Sequence, residues 1–232
     1  MDFSVIPANL SYMLSGLAMT FFLAGVSMVA SIFTGTIFAL MRVSKRAVIS
    51  VPAGLFVDVM RTVPLIMMMF WFFFLIPLMT GEPVSALFAV LVALVVFNTS
   101  YMAEVIRAGL KSVHRTQSEA AYSSGLSYIE TMWYIVLPQA FRNMLPAIVN
   151  RMVALVMGTS LAYIIGVTEF FRASNNVNNR VYQSYVIYGF VAVVYFLCCY
   201  SLSLVGRYIE RRLDPAAKAA TKSLMLGGGG AS

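Results

Sequence analysis

Two arginines stand inside long apolar stretches of the chain, where a fixed positive charge is unusual. Arg61 lies in residues 55–79, and Arg151 lies in residues 145–167. A guanidinium group binds a carboxylate through two parallel hydrogen bonds, and a charge at that depth should face a protein interior or a wet cavity. The two arginines therefore predict a carboxylate-binding site. Two structural alternatives stay open, since Arg151 can extend towards nearby water and Arg61 can pair with Asp58, three residues before it.

Small and polar residues accompany these arginines. Gly158 follows Arg151 by seven residues, near the same face of a helix, and Thr159 and Ser160 come next. Asn98 belongs to an Asn-Thr-Ser cluster in another apolar stretch, where it can bind the ammonium group of an amino acid or a neighbouring helix. Contact with a helix is the preferred interpretation of that cluster, and ligand binding stays open.

The composition shows which kind of structure must position these residues. Of 232 residues, 60% are hydrophobic and only 11% are charged, and the mean hydropathy is +0.85. A soluble domain has about 25% charged residues, so the chain is an integral membrane protein with an all-α fold. The net charge of +7 comes from residues at the flanks of apolar stretches, which excludes nucleic-acid binding. One histidine and two adjacent cysteines predict no metal site and no disulfide.

Five apolar stretches are long enough to cross a bilayer as helices. Twelve of the sixteen basic residues flank them on one side, which places the N-terminus outside and the C-terminus in the cytoplasm. The chain shows no leader cleavage site, so its N-terminus is expected to be retained. We predict a membrane domain over residues 1–213 and a cytoplasmic tail over residues 214–232, whose GGGGAS end has the composition of a linker. The predicted spans are residues 12–41, 55–79, 84–106, 145–167 and 185–208.

The loop between the third and fourth spans, residues 111–138, carries the signals of two short helices. Thr116 with Glu119 and Ser127 with Glu130 both fit a capping box, and Gly125 between them can turn the chain. Ala120 and Ala121 would allow another protein surface to approach closely. The alternative is a linker that lies on lipid headgroups. After the loop, Pro138 and Pro146 either shape the next helix or form a hinge. Glu104 and Arg107, three residues apart before the loop, predict a structural ion pair.

The same loop carries a pattern of seven residues, EAA-x3-G-x9-I-x-L-P, that resembles the loop of permease subunits of ATP-binding-cassette importers. Segments 61–65, 104–109, 137–142 and 159–161 strengthen the resemblance to the polar amino acid permeases, which extends over about residues 12–213. The resemblance implies a five-span type I importer fold in which this loop docks in a groove of an ATPase subunit. The seven residues expected to couple the two subunits are Glu119, Ala120, Ala121, Gly125, Ile135, Leu137 and Pro138.

The sequence contains no phosphate-binding GxxxxGK[ST] motif and no Gly-Lys pair, so the chain is not itself the ATPase and no catalytic residue or cofactor is expected on it. ATP and magnesium would belong to partner ATPase subunits. The resemblance also implies a second permease chain, expected to be a different sequence, and an extracytoplasmic binding protein that docks on the polar loop of residues 168–184. The expected location is the inner membrane of a bacterium.

The substrate prediction depends on a departure from related permeases. In many amino acid permeases that this chain resembles, notably those for basic substrates, acidic residues that help hold the ligand align with Arg151 and Gly158. Both acids are missing here. Because a guanidinium reverses the local charge, the substrate is expected to be an acidic amino acid, glutamate or aspartate. Two other functions stay open, an ion-coupled secondary carrier and a membrane scaffold without transport. A carrier of that class commonly places acidic residues within its spans.

Overall fold

The computed structural model describes residues 2–213, and within that range every regular element is a helix. The all-α prediction is confirmed there, while the predicted tail, residues 214–232, lies outside the described residues. A π-helical segment, Met132–Val136, joins α6 to α7, and a 3₁₀ helix, Thr159–Ile165, continues α7. The α-helices are α1 (Val5–Val43), α2 (Ala47–Thr62), α3 (Leu65–Thr80), α4 (Ala86–Ser112), α5 (Arg115–Ser123), α6 (Tyr128–Thr131), α7 (Leu137–Gly158), α8 (Phe170–Val181) and α9 (Ser184–Leu213).

Four helical stretches of the described chain are long and apolar enough to cross a membrane. These are α1, α4, the continuous unit from α6 to the 3₁₀ helix, and α9. The predicted span over residues 55–79 is not one straight helix, because α2 and α3 meet at an angle of 106°. Pro64 explains the break, since a proline forces the preceding residue out of the helical conformation and Val63 is extended, with φ −81° and ψ 128°.

Helices α1 and α4 form the centre of the bundle, and small residues allow their close approach. A Cβ atom added at Gly35 would lie 2.7 Å from the Cβ atom of Met102 and 3.0 Å from the amide nitrogen of Ala103. Ser27 and Ser31 of α1 are fully buried in the same contact. Helices in a membrane associate through such small-residue packing, because lipid supplies no hydrophobic force between them. The bundle is therefore fixed most firmly where α4 carries Asn98.

The fourth predicted span starts earlier than expected and changes its helical pitch. Pro138 has no N–H group and its ring clashes with the carbonyl four residues earlier, so the helix widens into the π-helical segment just before it. The Leu137 amide donates to the Met132 carbonyl across that wider turn. Pro146 neither ends nor restarts α7, which continues to Gly158.

The polar segment after the fourth span is a helix, so its interpretation as a loop over residues 168–184 is wrong. Helix α8 presents Phe170, Ala173 and Val177 to the interior, at the spacing of one helical face. Glu169 caps its start and is fully buried, and its carboxylate oxygens accept hydrogen bonds from the Phe171 and Arg172 amides at 2.8 Å each. The Tyr195 hydroxyl of α9 donates to the same carboxylate at 3.2 Å, which ties α8 to the bundle.

Candidate functional site

Helices α4 and α7 bring two of the predicted site residues together. The Nε and Nη2 atoms of Arg151 donate to the Oδ1 atom of Asn98 at 3.2 and 3.0 Å. The Asn98 amide nitrogen donates to the Ser31 hydroxyl at 2.6 Å, so the side chain also links α4 to α1. The helix contact preferred for Asn98 is therefore present, and the same side chain fixes the guanidinium of Arg151.

The ring of Tyr101 connects Arg151 to Arg61. The guanidinium carbon of Arg151 lies 4.0 Å from the ring centroid, and that of Arg61 lies 5.3 Å from it. Both distances fall within the range of cation–π attraction. The distance between the two guanidinium carbons therefore cannot exceed the sum of these two distances. The ring centroid of Phe97 lies 5.9 Å from the guanidinium carbon of Arg151. Two cations from different helices are thus held around one aromatic ring.

Acidic side chains near this cluster are already engaged by other cations. Glu104 accepts a hydrogen bond from Arg42 at 2.8 Å and pairs with Arg107 on its own helix, as predicted. Asp58 pairs with Arg42 at 3.2 Å, so the structural alternative in which Arg61 pairs with Asp58 is not observed. Among the described residues, neither Arg61 nor Arg151 makes a salt bridge. The arginine pair therefore keeps its positive charge available for an anion.

A cavity of about 350 Å³ lies beside the arginine pair, between α2, α4 and α7. Arg61, Tyr101 and Glu104 form its charged and aromatic part. Ala108, Gly109 and Ala147 keep the rest of the lining small. Arg151 is not among the lining residues, so a small molecule in this cavity would meet Arg61 and the ring of Tyr101, with Arg151 on the other side of that contact.

The structure does not bring the other predicted ligand residues to this cluster. Gly158 ends α7, seven residues or about 10 Å of helix beyond Arg151. The Thr159 and Ser160 hydroxyls donate to the Val156 and Met157 carbonyls, each at 2.7 Å, in their own helical turn. Their role in ligand binding stays a prediction.

The predicted two-helix turn is present, and we call residues 115–131 the elbow. Gly125 has φ +84°, its amide donates to the Tyr122 carbonyl, and the Leu126 amide donates to the Ala121 carbonyl. This pair of bonds is the Schellman motif that ends a helix at a glycine. The Ser127–Glu130 capping box is confirmed. The box predicted at Thr116 is wrong, because His114 caps α5 and Thr116 lies inside the helix.

The elbow exposes part of the seven-residue pattern and buries part of it. Glu119 and Ala120 lie on the exposed face of α5, while Ala121 is buried against the rest of the chain. Ile135, Leu137 and Pro138 belong to the π-helical segment and the start of α7, directly behind the elbow. The pattern thus describes one exposed surface and its connection to the long helix that carries Arg151.

Sequence reasoning missed Tyr101, Arg42 and Glu169. Tyr101 follows Asn98 by three residues and so shares its helix face, which is a signal that the sequence contained. Arg42 was interpreted only as a flanking charge, because its partners Asp58 and Glu104 come from other helices. Glu169 offered no local signal, since a glutamate is an uncommon N-cap residue.

The helices and the elbow define a class of protein with solved structures. The chain matches one from a crystal structure of an amino acid ABC transporter with histidines, with a TM-score of 0.85 and 28% identity, over 91% of this chain and 99% of the other. It also matches the MetNI methionine ABC transporter in an inward-facing conformation, with a TM-score of 0.70. Identity to the latter is 19%, over 90% of this chain and 96% of that one, which shows the fold alone. The fold is that of a type I ABC importer permease.

The family follows from the sequence comparisons. Residues 31–215 match the family described as binding-protein-dependent transport system inner membrane component, and the chain belongs to this family as a permease component of an amino acid ABC transporter. It is 34% identical to the glutamate/aspartate import permease protein GltK of Escherichia coli O157:H7, over 91% of this chain and 97% of the relative. It is 36% identical to the probable glutamine ABC transporter permease protein GlnP of Bacillus subtilis, over 88% and 94%.

Proposed function

We propose that the chain imports an acidic amino acid, glutamate or aspartate, through an ATP-driven complex. The observation that carries this proposal is the pair of guanidinium groups around Tyr101, which makes no salt bridge with a described acid. An acidic amino acid has two carboxylates, and an arginine binds each of them better than any other side chain does. The name of the relative GltK, a glutamate/aspartate import permease protein, agrees with this choice.

The same charge disfavours a basic substrate. Within the described chain, the acids nearest to the arginine pair are held by Arg42 and Arg107, so none of them is left to receive an ammonium group at that position. Asn98 can orient the amino group of a substrate only by releasing Arg151, because its Oδ1 atom accepts both guanidinium bonds. Substrate binding would therefore compete with the Asn98–Arg151 contact and free the guanidinium for a carboxylate.

The elbow is the proposed contact with a separate ATPase subunit, which would bind ATP and magnesium. Its exposed face carries Glu119 and Ala120, and the Gly125 turn fixes the angle between its two helices. A push on this surface passes through Ile135 and Leu137 into α7, which holds Arg151. A nucleotide-driven movement of the elbow would thus reach the arginine pair through one continuous helical unit.

The family supports a proposal for the rest of the assembly. We place the N-terminus outside and the C-terminus in the cytoplasm of a bacterial cell, with five spans if the bent pair α2–α3 crosses once. A second permease chain would close the path, and we expect it to differ in sequence. An extracytoplasmic binding protein would dock near the end of α8, where Arg180 and Tyr182 are exposed.

The test measures ATP hydrolysis by the assembled importer, with its binding protein, in proteoliposomes. Glutamate and aspartate should stimulate hydrolysis, whereas lysine, arginine and histidine should not. In the Arg151→Gln variant the concentration of glutamate needed for half-stimulation should rise at least tenfold, because one charged hydrogen-bonding group is lost. The matched control is Arg207→Gln, which removes an arginine that stacks on Tyr200 of α9. Stimulation by basic amino acids alone would contradict the proposal.

A further inference from the structure

An apolar groove runs along the bundle on a face that the proposed transport site does not use. Its volume is about 670 Å³, and residues of α1, α4 and α7 line it, among them Ile32, Leu40, Ile106 and Phe141. On α1 the lining extends from Ile32 to Val43, which is about 16 Å of helix. That length is about half of the 30 Å hydrocarbon core of a bilayer, so the groove is about as long as one leaflet is thick.

The end of the groove next to the elbow opens into a second cavity of different chemistry. This cavity has a volume of about 490 Å³ and shares Leu110, Lys111 and Tyr128 with the groove. Lys111 and Arg115 give it two exposed cations, and no acidic residue of the described chain lines either space. Neither cation makes a salt bridge within residues 2–213. The cavity is therefore suited to an anion.

A buried hydroxyl in the same cavity has no partner. Thr131 lines the cavity, is 1% exposed, and its Oγ1 atom makes no hydrogen bond to any described residue. Buried polar atoms in proteins are nearly always bonded, and leaving one without a partner costs about 1–3 kcal/mol. The hydroxyl is an unsatisfied polar group in the wall of the cavity that carries the two cations.

We propose that the groove and the cavity together bind one anionic phospholipid. An acyl chain would lie in the groove, and the phosphate group would lie between Lys111 and Arg115. A free anion would occupy only the cavity, and a neutral lipid would occupy only the groove. An anionic phospholipid has a charged headgroup for the cavity and an acyl chain for a groove about as long as one leaflet is thick. Basic residues at the end of a span are where anionic headgroups are attracted. Because Arg115, Ser118 and Tyr122 of α5 line the cavity, the bound lipid would brace the elbow against α4.

Native mass spectrometry of the assembled importer tests the headgroup contact. The complex would be held in nanodiscs of phosphatidylcholine with a minor fraction of phosphatidylglycerol, and the phosphatidylglycerol retained per permease chain would be counted after release. The wild type should retain one molecule on this chain, and the Lys111→Gln/Arg115→Gln variant should retain at least tenfold less. The control Arg211→Gln/Arg212→Gln removes two exposed cations from the end of α9. Equal retention by the two double variants would overturn the proposal.

A second variant separates a lipid from a free anion. Thr36 lines the groove on an exposed part of α1, so Thr36→Trp should fill the groove and leave both cations in place. Val29→Trp places the same ring on the same helix at a residue that is 72% exposed and does not line the groove. Phosphatidylglycerol should be lost from the first variant alone. Unchanged retention in Thr36→Trp or a second permease chain seated in the groove would each overturn the assignment.

Discussion

Tyr101 sets the positions of both cations of the arginine pair, although it carries no charge. Its ring lies within 5.3 Å of both guanidinium carbons, and its hydroxyl donates to the Arg61 carbonyl at 3.4 Å. The ring therefore draws a side chain from α2 and one from α7 to the same side of α4. The residue that positions the charges is therefore part of the proposed substrate site.

Replacing Tyr101 tests this positioning role. Tyr101→Leu removes the ring, so the two arginines should separate and the KM for glutamate uptake should rise about tenfold, equivalent to about 1.4 kcal/mol. Tyr101→Phe keeps the ring and loses only the long hydroxyl contact, so its KM should stay within about twofold of the wild type. Uptake kinetics in proteoliposomes measure both variants. Equal effects of Leu and Phe would show that the ring does not position the arginines.

Glu169 is the buried acid that caps α8, outside the four helical stretches that are long and apolar enough to cross a membrane. Burial raises the pKa of its carboxyl above the usual range, although hydrogen bonds to the ionised form act in the opposite direction. A raised pKa in the folded state gives stability that is complete below the unfolded pKa, near 4.3, and is lost as pH rises through the folded value. The folded chain should therefore become less stable as this carboxyl ionises.

The Glu169→Gln variant checks that dependence. Glutamine cannot ionise, so the variant should not lose stability as pH rises through the pKa of this carboxyl. The melting temperature of the wild type should therefore fall relative to that of the variant as pH rises from about 4. Thermal unfolding in nanodiscs at several pH values measures the difference. Glutamine has one acceptor oxygen where glutamate has two, so the two melting temperatures can differ at every pH. The informative quantity is how the difference between the two melting temperatures changes with pH. A constant difference would contradict the raised pKa.

At the scale of the elements, the elbow depends on a backbone conformation that only glycine adopts easily. A non-glycine residue in the left-handed conformation of Gly125 costs about 1–2 kcal/mol. Gly125→Ala should therefore shift the elbow and lower the amount of amino acid transported for each ATP hydrolysed. Gly81→Ala is the matched control, because Gly81 has φ +75° and equally open surroundings at the end of α3. Coupling ratios that fall equally in both variants would contradict a coupling role for the elbow.

The contact between α1 and α4 gives a second test at this scale. Gly35→Val would place side-chain atoms against Met102 and the backbone of Ala103, and overpacking of this kind costs about 1–3 kcal/mol. Gly25→Val changes the same helix at a position with nothing within 4 Å. The first variant should lower the melting temperature in nanodiscs and the second should not. Equal melting temperatures would show that the two helices can separate without cost.

The sequence predicted the elements where local signals were complete. Gly125 and the Ser127–Glu130 box marked the turn and the second elbow helix correctly, because both signals act within a few residues. Thr116 fitted the same pattern and was still wrong, since His114 lies at the actual cap. The polar composition of α8 concealed an apolar face at Phe170, Ala173 and Val177. Composition indicated a loop there, although the helical spacing was present in the sequence.

At the scale of the whole molecule, the contacts between distant segments could not be predicted. Sequence spacing allowed Arg61 either to pair with Asp58 or to contact a ligand, but Arg42 from another helix binds that carboxylate. The broken span at Pro64 lets Arg61 approach Tyr101 instead. Apolar composition and the seven-residue pattern were enough for the fold class and the family. The partners of each charge required the packed bundle.

The whole molecule connects the elbow to the arginine pair through the unit that runs from α6 to the 3₁₀ helix. This unit is a single span candidate of 38 residues, and it carries both the end of the coupling pattern and Arg151. A rigid helical unit can transmit a displacement at one end to a side chain on its length. The central claim is therefore that work done at the elbow moves an acidic amino acid past Arg151.

Uptake of radiolabelled glutamate into proteoliposomes tests that claim most directly. The importer would be co-purified with its ATPase and reconstituted with its binding protein, and ATP with magnesium would be supplied on the side of the elbow. We expect uptake that requires ATP hydrolysis, that aspartate inhibits and lysine does not, and that is reduced in Gly125→Ala but not in Gly81→Ala. Uptake driven by a sodium or proton gradient without ATP, and unchanged in Gly125→Ala, would contradict the account.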